Sequence, residues 1–203
     1  MVSMITAPVR TDSVELRSMQ GAAETILDAE GYANCLYVPG GTVNPPGGET
    51  YITGITIDGF TFTGGKANGV VGEPGGPWAG GGLSIHLSDT VVRNCVFKGN
   101  EATEGGALWV GGYAGATIED CVFINNKSAT VGGAVMIVNS RPRVTMRNCV
   151  IRDNIASYYG GGVMVWHSKV TLENLLIFGN RAVDDGGGLA IMELVLPDNE
   201  GGE

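Results

Sequence analysis

Residues 105–138 read GGALWVGGYAGATIEDCVFINNKSATVGGAVMIV, and they hold slightly more than one period of a pattern that recurs along the chain. A glycine pair opens a short apolar run, a second run comes around a cysteine, an asparagine closes it, and the glycine pair returns. The pairs begin at Gly80, Gly105, Gly132, Gly160 and Gly186, at steps of 25, 27, 28 and 26 residues. After them come Leu83-Ser84-Ile85, Leu108-Trp109-Val110, Val135-Met136-Ile137, Val163-Met164-Val165 and Leu189-Ala190-Ile191. The second run is Asn94-Cys95-Val96-Phe97, Asp120-Cys121-Val122-Phe123, Asn148-Cys149-Val150-Ile151 and Asn174-Leu175-Leu176-Ile177, each closed by Asn100, Asn126, Asn154 or Asn180.

Working outward, Ile55-Thr56-Ile57-Asp58-Gly59-Phe60-Thr61-Phe62 aligns with the second run and Cys35-Leu36-Tyr37-Val38 with the first. Residues 13–30 read as a still earlier turn, with strands at Val14-Glu15-Leu16 and Thr25-Ile26-Leu27. Gly/Pro-rich stretches at about 39–50 and 65–79 read as protruding loops. Residues 192–203 leave the pattern and read as a candidate C-terminal cap.

The runs are short, alternate with a period of two and favour Val, Ile, Phe and Thr, so they are strands. One such unit cannot bury its inner face, but units stacked at about 4.8 Å close a continuous core. The expected fold is all-β: one domain over residues 1–203, a single-stranded, right-handed parallel β-helix of about six coils.

In-register stacking turns equivalent positions into columns. Three columns should face inward: Ile57, Val92, Ile118, Met146, Leu172; Phe60, Cys95, Cys121, Cys149, Leu175; and Phe62, Phe97, Phe123, Ile151, Ile177. None contains a charge, as burial requires. Outward, Thr56, Val91, Thr117, Thr145 and Thr171 form a β-branched column, and Asp58, Arg93, Glu119, Arg147 and Glu173 form one whose sign alternates at every step. A column of one sign would repel itself; alternation avoids this and helps fix register. The asparagine columns fit bends, because asparagine tolerates positive φ and its amide can bond to the next coil.

Glycine-pair blocks alternating with Cys-Val-Phe-x-x-Asn-like blocks resemble the repeats of polymorphic outer-membrane protein and autotransporter-type β-helices. The stretch Val14 to Asp28 resembles a lead-in of pectate-lyase-like right-handed β-helix proteins. The likeness covers nearly the whole chain and implies the fold. It implies no single activity, because adhesins, lyases, hydrolases and epimerases share this scaffold. Such chains are usually exported, so the resemblance implies an extracellular or cell-surface setting. The start MVSMITAPVRTD lacks the charged and apolar regions of a signal peptide, which fits a piece of a longer exported chain.

A net charge of −9 argues against nucleic acid, whose binding rests on Lys and Arg. No stretch reaches the 18 or so apolar residues of a membrane span. Glycine, 34 of 203 residues without a period of three, marks recurrent turns rather than collagen. The four cysteines lack zinc-site spacing. Cys95, Cys121 and Cys149 read as small buried thiols in one column, with a disulfide between neighbours as the alternative.

Candidate sites lie on the outer face. Tyr37, Ser84, Trp109, Met136, Met164 and Ala190 form one outward column, with Trp166 close by. Such a stripe can stack sugar rings or pack against a partner, unless the 65–79 loop with Trp78 covers it. Thr61, Val96, Val122, Val150 and Leu176 form a second apolar stripe. Asp184 and Asp185 are candidate cation ligands, Ca²⁺ being the ion such a pair would take, with solvated turn carboxylates as the alternative; no other cofactor is expected. Glu101 and Glu104 are loop acids, and His86 and His167 stand too far apart along the stack for a dyad. Asn126-Lys127-Ser128 fits a glycosylation sequon.

No catalytic constellation emerges, so the leading expectation is a non-catalytic β-helical surface module, adhesin-like or a stalk, binding a glycan or protein along its face. The expected partners are a polysaccharide, a surface protein, or a second copy meeting an apolar column or an open end. The alternative is a carbohydrate-active enzyme of polysaccharide lyase or glycoside hydrolase type; on either reading the expected binding residues are Tyr37, Trp109, Met136, Met164 and Trp166.

Overall fold

The computed structural model describes residues 13–39, 43–44, 48–49, 52–69, 78–140 and 143–193. Their strands stack in four parallel sheets that the chain visits in the same order on every coil. Sheet 1 contains Val14–Arg17, Ile52–Asp58, Ser88–Arg93, Gly115–Glu119, Val144–Arg147 and Val170–Glu173. Sheet 2 contains Ile26–Asp28, Thr61–Thr63, Val96–Lys98, Val122–Ile124, Val150–Arg152 and Leu176–Phe178. Sheet 3 is built from the pairs Lys66–Ala67, Glu101–Ala102, Lys127–Ser128, Ile155–Ala156 and Arg181–Ala182. Sheet 4 holds Leu36–Val38, Leu83–His86, Leu108–Gly111, Val135–Val138, Val163–Trp166 and Leu189–Met192. This is a parallel β-helix of six coils.

The register is the one the columns require. Val91 pairs with Thr117, Thr117 with Thr145 and Thr145 with Thr171, while Phe62, Phe97, Phe123, Ile151 and Ile177 align in sheet 2. The inward residues of the middle coils are fully buried. Phe62, Phe97 and Phe123 stack with centroids 4.7 and 4.8 Å apart and planes within 9°. That spacing is the strand spacing itself, so one ring per coil makes a continuous pile.

The bend between sheets 1 and 2 is made by a left-handed residue: Gly59, Asn94, Asp120, Asn148 and Asn174 all have φ between 50° and 82°. The next cysteine along the chain closes the bend, since Cys95, Cys121 and Cys149 each donate Sγ–H to the carbonyl two residues earlier at 3.1 Å. All four cysteines are free thiols, and burial pushes Cys121 well above its ordinary range. The second asparagine column meets half of the expectation: its amides bond to the next coil, but its backbone does not make the bend. Its residues are not left-handed; that role falls one position earlier, to Gly99, Asn125, Asp153 and Gly179. Asn100, Asn126, Asn154 and Asn180 instead form an internal amide ladder. Nδ2 of Asn100, Asn126 and Asn154 donates to Oδ1 of the next asparagine at 3.1, 2.9 and 2.8 Å. The same Nδ2 atoms donate to the carbonyls of Phe62, Phe97 and Phe123. These amides are thus satisfied in a dry interior, where an orphaned one would cost about 1–3 kcal/mol. Because Asn126 is 1% exposed, its sequon is out of reach of glycosylation.

The charged column of sheet 1 extends one coil further than expected, to Arg17. Asp58 lies between Arg17 at 3.5 Å and Arg93 at 3.1 Å, and Arg147 contacts Glu119 at 2.5 Å. Partial burial acts to raise the Asp58 carboxyl, but the Asn94 amide and the two guanidinium groups together hold it below its usual value.

Two boundaries shift. Lys66–Ala67 belongs to sheet 3 and Ala79 bridges to Glu104, so both ends of the expected loop at 65–79 are part of the coil, and residues 70–77 lie outside the described residues. Within 39–50, Val43–Asn44 pairs antiparallel with Gly48–Glu49, apart from the four sheets. Of the expected cap, Met192 completes a strand of sheet 4, and residues 194–203 lie outside the described residues.

Candidate functional site

Alternation places Tyr37, Ser84, Trp109, Met136, Met164 and Ala190 in one outward column of sheet 4, and the register agrees. Of the two expected readings, a bare stripe or a covered one, burial favours the covered one: Trp109 is 4% exposed, Met164 1% and Met136 not at all, so these three are withdrawn as ligand-contacting residues. The chain passing from sheet 3 to sheet 4 folds back over this face. Just before each glycine pair stand Ala79, Glu104, Val131, Tyr159 and Asp185. Ala79, Val131 and Tyr159 pack on Trp109, Met136 and Met164 in a second, smaller apolar cluster.

The glycine pair makes this roof feasible. Its first residue takes φ from 58° to 66° at Gly80, Gly105, Gly132, Gly160 and Gly186. Its second lies against the equivalent backbone of the next coil: a Cβ on Gly133 would sit 2.1 Å from the Gly161 carbonyl oxygen. Only glycine permits both.

Two roof positions carry acids, the exposed Asp185 and the half-buried Glu104. Glu104 occupies a position that is alanine, valine or tyrosine on three other coils, and it lies over Trp109. Burial pushes its carboxyl above the ordinary value, and the Trp109 indole, directed toward it, offsets part of that rise. The indole Nε1–H nonetheless stays buried without an acceptor in hydrogen-bond geometry among the described residues.

Around this point the aromatic residues gather. The Trp109 ring lies along the sheet over Gly111, where a Cβ would be 2.4 Å from its Cη2. His86 lies on the indole with centroids 4.3 Å apart and 31° between planes. Trp78 meets it edge-on at 5.5 Å, and Tyr37 meets the His86 ring at 5.3 Å. Tyr37 is 52% exposed and forms the solvent side of the group. Ser84 Oγ and His86 Nε2 are hydrogen-bonded at 3.1 Å. Burial lowers the His86 pKa to about 4, so the imidazole is neutral at pH 7. Ser84 is 2% exposed, which leaves this Ser–His pair no access to a substrate carbonyl.

The other expected residues do not join this group. Trp166 is exposed and touches His167 edge-on at 5.8 Å, two strands along the stack from Gly111. Asp184 and Asp185 are both exposed at a bend, and no group of three or more His, Cys, Asp or Glu able to hold a metal exists among the described residues. The second stripe is partly open, with Val96, Val122 and Val150 half-buried and Leu176 exposed. No helix among the described residues is long and apolar enough to cross a membrane. His86 was legible only as an isolated histidine; the signal for its role is Gly111, the small residue that makes room for an indole beside it.

No curated protein and no solved structure matches the chain. A family model described as the right handed beta helix region matches residues 32–193, from the first strand of sheet 4 to the last. With that match over most of its length and six parallel coils in register, the chain belongs to the right-handed β-helix family.

Proposed function

We propose that the protein is a non-catalytic, extracellular or cell-surface β-helical module that binds a polysaccharide at the Tyr37–His86–Trp109–Trp78 group. The observation that carries this reading is the convergence of four aromatic rings with a half-buried carboxyl and an unpartnered indole N–H at one end of sheet 4. Along Met136 and Met164 that face is sealed by its own chain. An apolar sugar face stacks on the exposed Tyr37 ring, and the buried Trp109 and Ser84 support that ring from beneath through His86 without touching ligand. Met136 and Met164 support the platform from beneath the roof and do not touch ligand.

Calorimetric titration with a panel of neutral and acidic polysaccharides tests the reading. Tyr37→Ala is expected to weaken binding about tenfold or more while leaving the unfolding midpoint unchanged. Binding that survives Tyr37→Ala unaltered places the ligand elsewhere.

The second reading, a polysaccharide lyase or glycoside hydrolase, is favoured by Glu104, a carboxyl raised by burial as a general acid would be. Hydrolysis also needs a second carboxyl across the scissile bond. Cleavage of any panel polysaccharide, with or without added Ca²⁺, and its abolition in Glu104→Gln would establish this reading over the first.

A further inference from the structure

At the two ends of the stack, columns that are buried elsewhere come to the surface. Val14 and Leu16, in the inward columns of Ile55 and Ile57, are 53% and 40% exposed, and Ile191, in the column of Val165, is 67% exposed. Among the described residues each end strand is paired on one side: Val14–Arg17 with Ile52–Asp58, and Val170–Glu173 with Val144–Arg147. Unpaired edges of this kind accept a further strand.

We infer that these ends are complementary docking surfaces, the last coil of one molecule stacking on the first coil of a second copy. The charged column selects this occupant. Among the described residues it runs Arg17, Asp58, Arg93, Glu119, Arg147, Glu173, from a positive residue to a negative one. Glu173 against Arg17 of the next copy continues the alternation without a fault. The apolar columns agree: Leu172 meets Leu16, Ile177 meets Leu27, and Leu189 meets Leu36, each within its own inward column. Such a head-to-tail contact does not close on itself, so it propagates as a linear stack rather than a dimer. The net charge of −9 opposes association at low ionic strength, and physiological salt relieves that repulsion.

The test is sedimentation velocity on the full chain at rising protein concentration in physiological salt, with Arg17→Glu and Glu173→Arg. Wild type is expected to form a concentration-dependent linear series. Each variant alone sets like charges across the junction and is expected to associate about tenfold more weakly. An equal mixture of the two variants restores opposite signs where unlike variants meet, and its association is expected to return toward the wild-type level. Unfolding midpoints of the separate variants check that both remain folded. A wild type that stays monomeric throughout overturns the inference, and residues beyond 13–193 or a different protein then cover the edges. Association that ignores both substitutions, or a loss that mixing does not repair, overturns it as well.

Discussion

The outer face of sheet 1 is open to solvent, whereas the outer face of sheet 4 is roofed by its own chain. Both faces consist of outward residues on strands of the same solenoid, at the same strand spacing. The difference lies in the path of the chain between strands. Sheet 1 leads through a single left-handed residue into sheet 2, and its arginines reach solvent, Arg93 with 34% and Arg147 with 47% of the side chain exposed. The chain reaching sheet 4 doubles over that face, and the glycine pair brings backbone to backbone without side chains between. One outer surface is therefore set by charge pairing in water and the other by close packing.

Substitutions that attack the roof should have the largest effect. Gly133→Ala drives a Cβ into the Gly161 carbonyl and is expected to cost about 3 kcal/mol or more in urea unfolding. Thr145→Ala on sheet 1 should stay within about 0.5 kcal/mol. Met136→Ala comes next: as part of the packed layer it should cost about 2–5 kcal/mol, while an open stripe would give almost no change. Stability should also fall as pH drops from 6.5 toward 4, because His86 titrates near 4 in the fold and near 6.5 when unfolded. The unfolded chain binds the proton more tightly in that window, so acid favours unfolding, and His86→Phe should flatten the profile. Glu104 opposes this trend, since its raised pKa makes its own contribution fall as pH climbs past 4.5. A Glu104→Gln background separates the two. The small effects belong to sheet 1: like Thr145→Ala, Arg93→Ala, which removes its Asp58 pair, should cost little, about 0.2–1 kcal/mol, and the cost should vanish in high salt.

The stacking was legible in the sequence because parallel in-register coils convert chemistry into columns. Phe97, Phe123 and Cys121 declare the interior by type, and Arg93, Glu119 and Arg147 declare an exposed face by alternating sign. The roof was not legible, since period-two alternation reports only which side of a strand a residue takes. It cannot say whether another part of the chain covers that side, and Met136 reads the same either way. The glycine pair was visible as punctuation, but its close-packing role depends on a carbonyl one coil away. The aromatic group was half legible: Tyr37 and Trp109 share a column, whereas His86 and Trp78 arrive from a neighbouring column and from the roof. The asparagine ladder was half visible: bonding of its amides to the next coil was expected, but sequence does not distinguish an amide at a positive-φ bend from one that fills a dry interior.

The alternating charges of sheet 1 give the molecule a parity. Removing one coil, for example residues 94–119, would leave every inward column intact yet set Arg93 beside Arg147. Removing two, residues 94–147, would set Arg93 beside Glu173 and keep the order of signs. Length can therefore change without an electrostatic fault only by even numbers of coils. Six is such a number, and it is why the two ends of the column carry opposite signs.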